Sequence, residues 1–199
     1  MSAAPALRGL VLAGGLSSRM QRDKAALPYA GRSQLDRVFE LVSRHVDHVL
    51  VSVRAGQAAD PARAHLPLLI DAVDGEGPMI GIRSALAADP HAAWLVVACD
   101  LPFLSDTTLS HLIAQRDPAR TATAYRSAHD GLPEPLCAIF EPGAAVGLAA
   151  AQGHGRHCPR KFLINADTRL LDPLDPRALD NVNTPEEYRA ALAVLTCAS

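Results

Sequence analysis

One stretch near the N-terminus, Leu12-Ala13-Gly14-Gly15-Leu16-Ser17-Ser18-Arg19-Met20-Gln21-Arg22-Asp23-Lys24, joins adjacent glycines to a set of cations. Glycines let a backbone approach a phosphate closely, and successive amides can point at the anion. Arg19, Arg22 and Lys24 add positive charge that counters much of a triphosphate's. The stretch is neither a G-x-x-x-x-G-K-[ST] loop nor a G-x-G-x-x-G fingerprint. Taken alone, Gly14-Gly15 reads more readily as a glycine turn with a solvated basic loop behind it. Asp100 carries a second kind of chemistry. It follows an apolar run and precedes Leu101-Pro102-Phe103-Leu104, so a carboxylate stands at a strand tip bracketed by core. Such a group is costly unless paired or placed on a cation, and hard oxygen ligands suit Mg²⁺, which uses one or two carboxylates plus substrate phosphates.

Other positions are open to two readings. Asp71 ends a strand, either as a functional carboxylate or as the start of a turn. Gly75-Glu76-Gly77-Pro78-Met79-Ile80-Gly81 is a second glycine-rich loop, able to let a planar base lie against the backbone or simply to turn tightly. Asp180-Asn181-Val182-Asn183 sets amide oxygens near a helix start. Between Glu141 and Asp167 there is no acidic residue, yet His154, Arg156, His157, Arg160 and Lys161 fall inside. Such an island can receive an anionic small molecule, or it is a solvated loop. Cys158 beside His157 precedes Pro159 in a polar loop that offers nothing to activate a thiol.

The elements that must position these residues alternate between apolar runs and helical patterns. Leu7 to Ala13, His48 to Val53, Pro67 to Ile70 and Ala93 to Ala98 read as buried strands. Strands apolar on both faces and separated by helices predict a mostly parallel sheet covered on two sides. Ser33 to Asp36 resembles a capping box in which the carboxylate reaches back to the N-cap amide, opening a helix with Leu35, Val38, Phe39, Val42 and Val46 on one face. Thr121 to Arg126 and Pro135 to Phe140 read as further strands, and Pro142 to Gln152 as a helix of small residues. Ser105 is placed to cap the helix after Asp100. Thr184-Pro185-Glu186-Glu187 opens the last helix, which runs to about Leu195.

The 199 residues, 49% hydrophobic and 20% charged, predict one domain over residues 1–199 with a proper core. A net charge of -2 excludes a generally basic nucleic-acid binder. No run approaches the ~18 apolar residues of a membrane helix, and residues 1–8 show no secretory signal. Four scattered cysteines without a C-x-x-C pair suit a reducing cytoplasm.

Taken together, these motifs resemble the nucleotidyltransferase family that includes the molybdenum cofactor guanylyltransferases. The resemblance rests on L-A-G-G-x-S-x-R-M-x-x-D-K at Leu12 to Lys24, G-P-x-x-G at Gly77 to Gly81, C-D-x-P at Cys99 to Pro102 and N-V-N-T-P at Asn181 to Pro185, and it covers nearly the whole chain. It implies a Rossmann-like three-layer α/β sandwich that moves GMP from Mg-GTP to the phosphate of molybdopterin. Leu12, Ala13, Gly14 and Gly15 would hold the nucleotide by backbone, with Ser52, Asp71, Gly77, Pro78 and Gly81 as further contacts. Arg19, Lys24 and Asp100 would be the catalytic residues, Asp100 and Asn183 the metal's environment, and Arg156, Arg160 and Lys161 the acceptor's cradle. Gln21 stands where the family often has glycine, and Ser52 where it often has asparagine. Leu132 to Leu136 also departs from the family's guanylyltransferases. The implied partners are small molecules, with transient contact to molybdopterin-synthesis proteins or apo-molybdoenzymes. The competing readings are transfer to another phosphorylated acceptor, such as a CTP-dependent pterin or a sugar phosphate, and a nucleotide-binding module without catalysis.

Overall fold

The computed structural model describes residues 3–13, 25, 27–29, 31–71, 77–153 and 157–197. The first apolar run forms β1 (Leu7–Leu12). A short hairpin, β2 (Pro28–Tyr29) and β3 (Arg32–Ser33), then leads into α1 (Gln34–Ser43). Ser33 caps α1 by accepting from the Asp36 amide at 3.0 Å. The Asp36 carboxylate accepts from the Ser33 hydroxyl at 2.6 Å, so it locks the cap through the side chain rather than through the N-cap amide. Next come β4 (Val49–Val53), β5 (Leu68–Ile70), α2 (Pro78–Ala88), β6 (Ala93–Ala98) and α3 (Asp106–Ala114), the last capped by Ser105. β7 (Ala122–Arg126), β8 (Pro133–Phe140), α4 (Ala144–Gly153), α5 (Pro159–Asn165), β9 (Thr168–Leu171) and α6 (Pro185–Cys197) complete the chain.

The main sheet has seven strands in the order β5-β4-β1-β6-β8-β7-β9. β8 alone runs antiparallel to its neighbours, β6 and β7; the other neighbouring strands pair in parallel. Alternating side chains of β6 show why both faces are covered. Leu95 and Val97 join a core with Leu35, Val38 and Val42 of α1 and Leu109 and Leu112 of α3. Trp94 and Val96 join the opposite core with Ile82 and Leu86 of α2, Leu148 of α4 and Leu163 of α5. The result is the three-layer, mostly parallel sandwich predicted from the apolar runs. No helix among the described residues is long and apolar enough to cross a membrane.

A third, smaller cluster closes the molecule on itself. Leu27 and Tyr29 of the hairpin region pack against Val182 and Ala191, with Tyr188 and Leu192 alongside. Tyr29 and Tyr188 meet edge to face at 5.1 Å, and the Tyr188 hydroxyl donates to the Pro28 carbonyl at 2.5 Å. The last helix is thereby returned to the hairpin that follows the glycine-rich loop.

Candidate active site

From β1 the chain steps outward to β4 and β5, then returns to β6 on the other side of β1. That reversal opens a crevice beyond the carboxyl ends of β1 and β6, where open α/β sheets bind ligands. The register brings Leu12 level with Ala98 on one side and with Ser52 on the other. The Cys99 amide donates to the Leu12 carbonyl, and the Ala13 amide to the Ser52 carbonyl, both at 3.2 Å. The start of the glycine-rich loop and Asp100 therefore emerge side by side, although 88 residues separate Leu12 from Asp100. Gly14, Gly15, Arg19 and Lys24 lie outside the described residues, as do Gln21, Gly75, His154 and Arg156.

Ser52 is 2% exposed, and its hydroxyl donates to Asp71 Oδ1 at 2.8 Å. Burial pushes the Asp71 carboxyl above the ordinary range, with the Ser52 hydrogen bond and the Arg54 charge opposing. Gly77, at φ 93°, occupies the left-handed region open to glycine and caps α2, and Pro78 takes its first turn. Gly81 is needed for a close approach. A Cβ there would lie 2.3 Å from Ser52 Oγ and 2.7 Å from Leu12 Cδ2. The absence of a side chain at Gly81 lets α2 settle on Leu12 and Ser52.

Asp100 sits at the tip of β6, partly buried, and its carbonyl accepts from the Val182 amide at 3.0 Å. This bond draws the Asn181-Val182-Asn183 motif to the strand tip, so Asn183 stands one residue from a direct link to Asp100. The motif is held from behind by a complete capping box. The Glu187 carboxylate accepts from the Asn183 and Thr184 amides at 2.6 and 3.0 Å, and the Thr184 hydroxyl from the Glu187 amide at 3.2 Å. Tyr29 lies close by. Burial pushes its hydroxyl well above the usual range, with the Tyr188 and Asp100 charges adding to the effect and Arg37 opposing it. Among the described residues no group of three His, Cys, Asp or Glu gathers around a metal-sized space. One carboxylate, Asp100, with Asn181 and Asn183 on the segment tied to its carbonyl, suits Mg²⁺, which takes its remaining ligands from water and phosphates, better than a protein cage of the zinc type.

Beside Asp100 a cavity of about 480 Å³ opens between Phe103, Ser127, Glu134, Arg160, Asn181 and Val182. Arg160, from the stretch that is acid-free in sequence, is not acid-free in space. Its guanidinium donates to Asp130 at 3.1 Å and to Glu134 at 2.8 Å. Lys161 is exposed and does not line the cavity. The stretch read as a basic loop is in part a helix, α5, and Cys158 is its N-cap residue. Sequence reasoning missed Phe103, Ser127, Tyr29 and Arg63 at this end of the sheet. Arg63 stands in the alanine-rich run Ala62-Arg63-Ala64, where nothing in the pattern marks it.

The fold, with a glycine-rich sequence following β1 and Asp100 following β6, suits the nucleotidyltransferase class of α/β enzyme. The chain belongs to the MobA-like NTP transferase domain family, whose model matches residues 9–179. It is 33% identical over 190 residues to the molybdenum cofactor guanylyltransferase of Pseudomonas paraeruginosa, covering 93% of this chain and 94% of that one. It is 39% identical over 182 residues to the molybdenum cofactor biosynthesis bifunctional protein of a Synechocystis strain, covering 92% of this chain but 52% of the relative, about half its length. The crystal structure of molybdopterin-guanine dinucleotide biosynthesis protein A from Archaeoglobus fulgidus shares the fold, with a TM-score of 0.81 at 22% identity over 96% of this chain and 99% of that one.

Proposed function

We propose that this chain transfers GMP from Mg-GTP to the phosphate of molybdopterin, releasing pyrophosphate, and that residues 1–199 act as one domain. The observation that carries the reading is the juxtaposition of the loop-bearing end of β1 with Asp100 at the end of β6. It occurs in a chain that spans nearly the full length of a named guanylyltransferase. Leu12, Ala13, Gly14 and Gly15 receive the nucleotide along their backbone. Ser52 and Asp71 flank it, while Gly77 and Pro78 turn the neighbouring helix and Gly81 seats it. Lys24 and Arg19 neutralise the phosphates. Mg²⁺, when held by Asp100 in the environment that Asn183 completes, polarises the phosphates and offsets their charge.

An acceptor oxygen attacks the α-phosphorus, a new P–O bond forms, and the bond to the β-phosphate breaks as pyrophosphate leaves. The attacking phosphate is already an anion, so no strong general base is needed. The difficulty is the approach of two polyanions, and fixed cations that hold them in line supply the catalysis. The cavity beside Asp100 receives the acceptor, with Arg160 on its wall and Arg156 and Lys161 on the same stretch of chain. Arg160 reaches the acceptor's phosphate only by giving up part of its contact with Asp130 or Glu134. The reduced thiols of Cys99, Cys137 and Cys158 suit a cytoplasmic setting. Any contact with proteins that make molybdopterin or receive the product is transient.

A thermal-shift series with each nucleoside triphosphate plus Mg²⁺ tests the reading. GTP should raise the unfolding midpoint; at a hundred times its Kd it adds ~2.7 kcal/mol to native stability. A larger shift with CTP, or equal shifts with all of them, would contradict guanine transfer.

A further inference from the structure

We infer that Arg63 is a positioning residue for the nucleotide loop, holding the carbonyl from which that loop departs. The inference rests on the proposal above that the loop receives a nucleoside triphosphate. Arg63 is 1% exposed, among the most deeply buried large side chains of the protein. It lies on the connection between β4 and β5, in a turn closed by the Arg63 and Ala64 amides donating to the Asp60 carbonyl, each at 2.9 Å. One arm of its guanidinium donates to Asp60 Oδ2 at 2.5 Å, and the other to the Ala13 carbonyl at 3.3 Å.

A guanidinium taken out of water at this depth is costly unless its hydrogen bonds are made. A chain that needed only to close this turn could do so with the backbone bonds to Asp60 and an apolar side chain. Among the described residues, the arginine is a charged, forked donor that spans two fixed points. One is the turn; the other is the last residue before Gly14. The Ala13 amide is already committed to the Ser52 carbonyl and the Leu12 carbonyl to the Cys99 amide. Arg63 adds a hold on the Ala13 carbonyl, which helps set the direction in which the chain leaves the sheet. In a loop that binds phosphate through its amides, that direction decides where the amides point.

The test is the affinity for Mg-GTP measured by titration calorimetry on the full chain, wild type against Arg63→Met, Arg63→Lys and Asp60→Ala. Arg63→Met should weaken GTP binding about tenfold, the loss of one charge-assisted bond. Arg63→Lys, which keeps the charge but not the fork, should recover only part of that loss. In steady state the KM for GTP should rise and the KM for the acceptor should not. Should Arg63→Met fail to fold, Asp60→Ala carries the test. Asp60 is partly exposed, and its loss frees one arm of the guanidinium, so GTP binding should weaken about threefold. Variants that lose thermal stability but bind GTP as the wild type does would overturn the inference and leave Arg63 a packing residue. A wild type that binds no nucleoside triphosphate at all would instead overturn the reading on which the inference rests.

Discussion

Two carboxylates at strand ends, Asp100 and Asp71, each yield a prediction. Asp100→Asn keeps shape and volume at the tip of β6, and the Val182 link survives because it uses the Asp100 carbonyl. Transfer should therefore fall below detection while the circular dichroism and unfolding midpoint stay close to wild type. Unchanged turnover in saturating Mg²⁺ would remove Asp100 from the site. Burial holds the Asp71 pKa above its ordinary value, so the folded state binds that proton more tightly than the unfolded chain does and the ionised carboxylate weighs against folding. Asp71→Asn keeps an oxygen for the Ser52 hydroxyl and removes that charge. It should unfold at a higher temperature than the wild type at pH 7, and the difference should vanish below about pH 4, where the aspartate is protonated in both states. Its GTP affinity should nonetheless be lower, the signature of a carboxylate retained for function. Asp100 was visible in the sequence because a charge that interrupts an apolar run must be explained. Arg63 was not, because a buried arginine and an exposed one look alike in an alanine-rich stretch. The acid partners of Arg160 were hidden for a different reason: Glu134 and Asp130 lie 26 and 30 residues upstream, and only the sheet brings them together.

At the scale of elements, the strands buried on both faces were legible nearly to their ends, since a continuous apolar run has few other uses. β6 matches its predicted limits, and β1 and β4 differ by a residue at one end. β8 starts two residues earlier than expected. Proline ordinarily marks a strand boundary, but Pro135 falls where the β7 pairing jumps from Ala138 to Glu134, and such an irregularity needs no donor from it. β9 and α5 were missed because Thr168–Leu171 is short and flanked by aspartates, and Pro159–Asn165 opens on charged residues. Two substitutions test how elements hold the site. Gly81→Ala forces a methyl into Ser52 and Leu12, an overpacking that costs ~1–3 kcal/mol. Urea unfolding should show that loss, and GTP affinity should fall with it, since the end of β1 must move. Thr184→Ala removes half of the capping box and should cost ~1 kcal/mol, lowering the midpoint by about 2–4 °C. An unchanged midpoint would mean that α6 is held by the Tyr29–Tyr188 cluster alone.

Over the whole molecule, the central problem is charge. For the proposed reaction, a protein of net charge -2 has to bring together a triphosphate and a second phosphate. The proposed arrangement keeps the two anions on separate cations, Arg19 and Lys24 for one and the Arg156 to Lys161 stretch for the other. If so, the double change Arg156→Ala, Arg160→Ala raises the acceptor's KM and leaves GTP affinity nearly untouched. Glu134→Gln should do the reverse, lowering the acceptor's KM by releasing Arg160 from one of its carboxylates; a higher KM would make Glu134 itself an acceptor contact. The most direct test of the account follows the atom that moves. The protein is incubated with Mg²⁺, molybdopterin and GTP labelled in its α-phosphate, and the products are separated. Transfer of the label to the pterin with an equal amount of pyrophosphate released, and no comparable transfer from labelled CTP, is the predicted result. Label that stays in GTP, or that moves as readily from CTP, would contradict it.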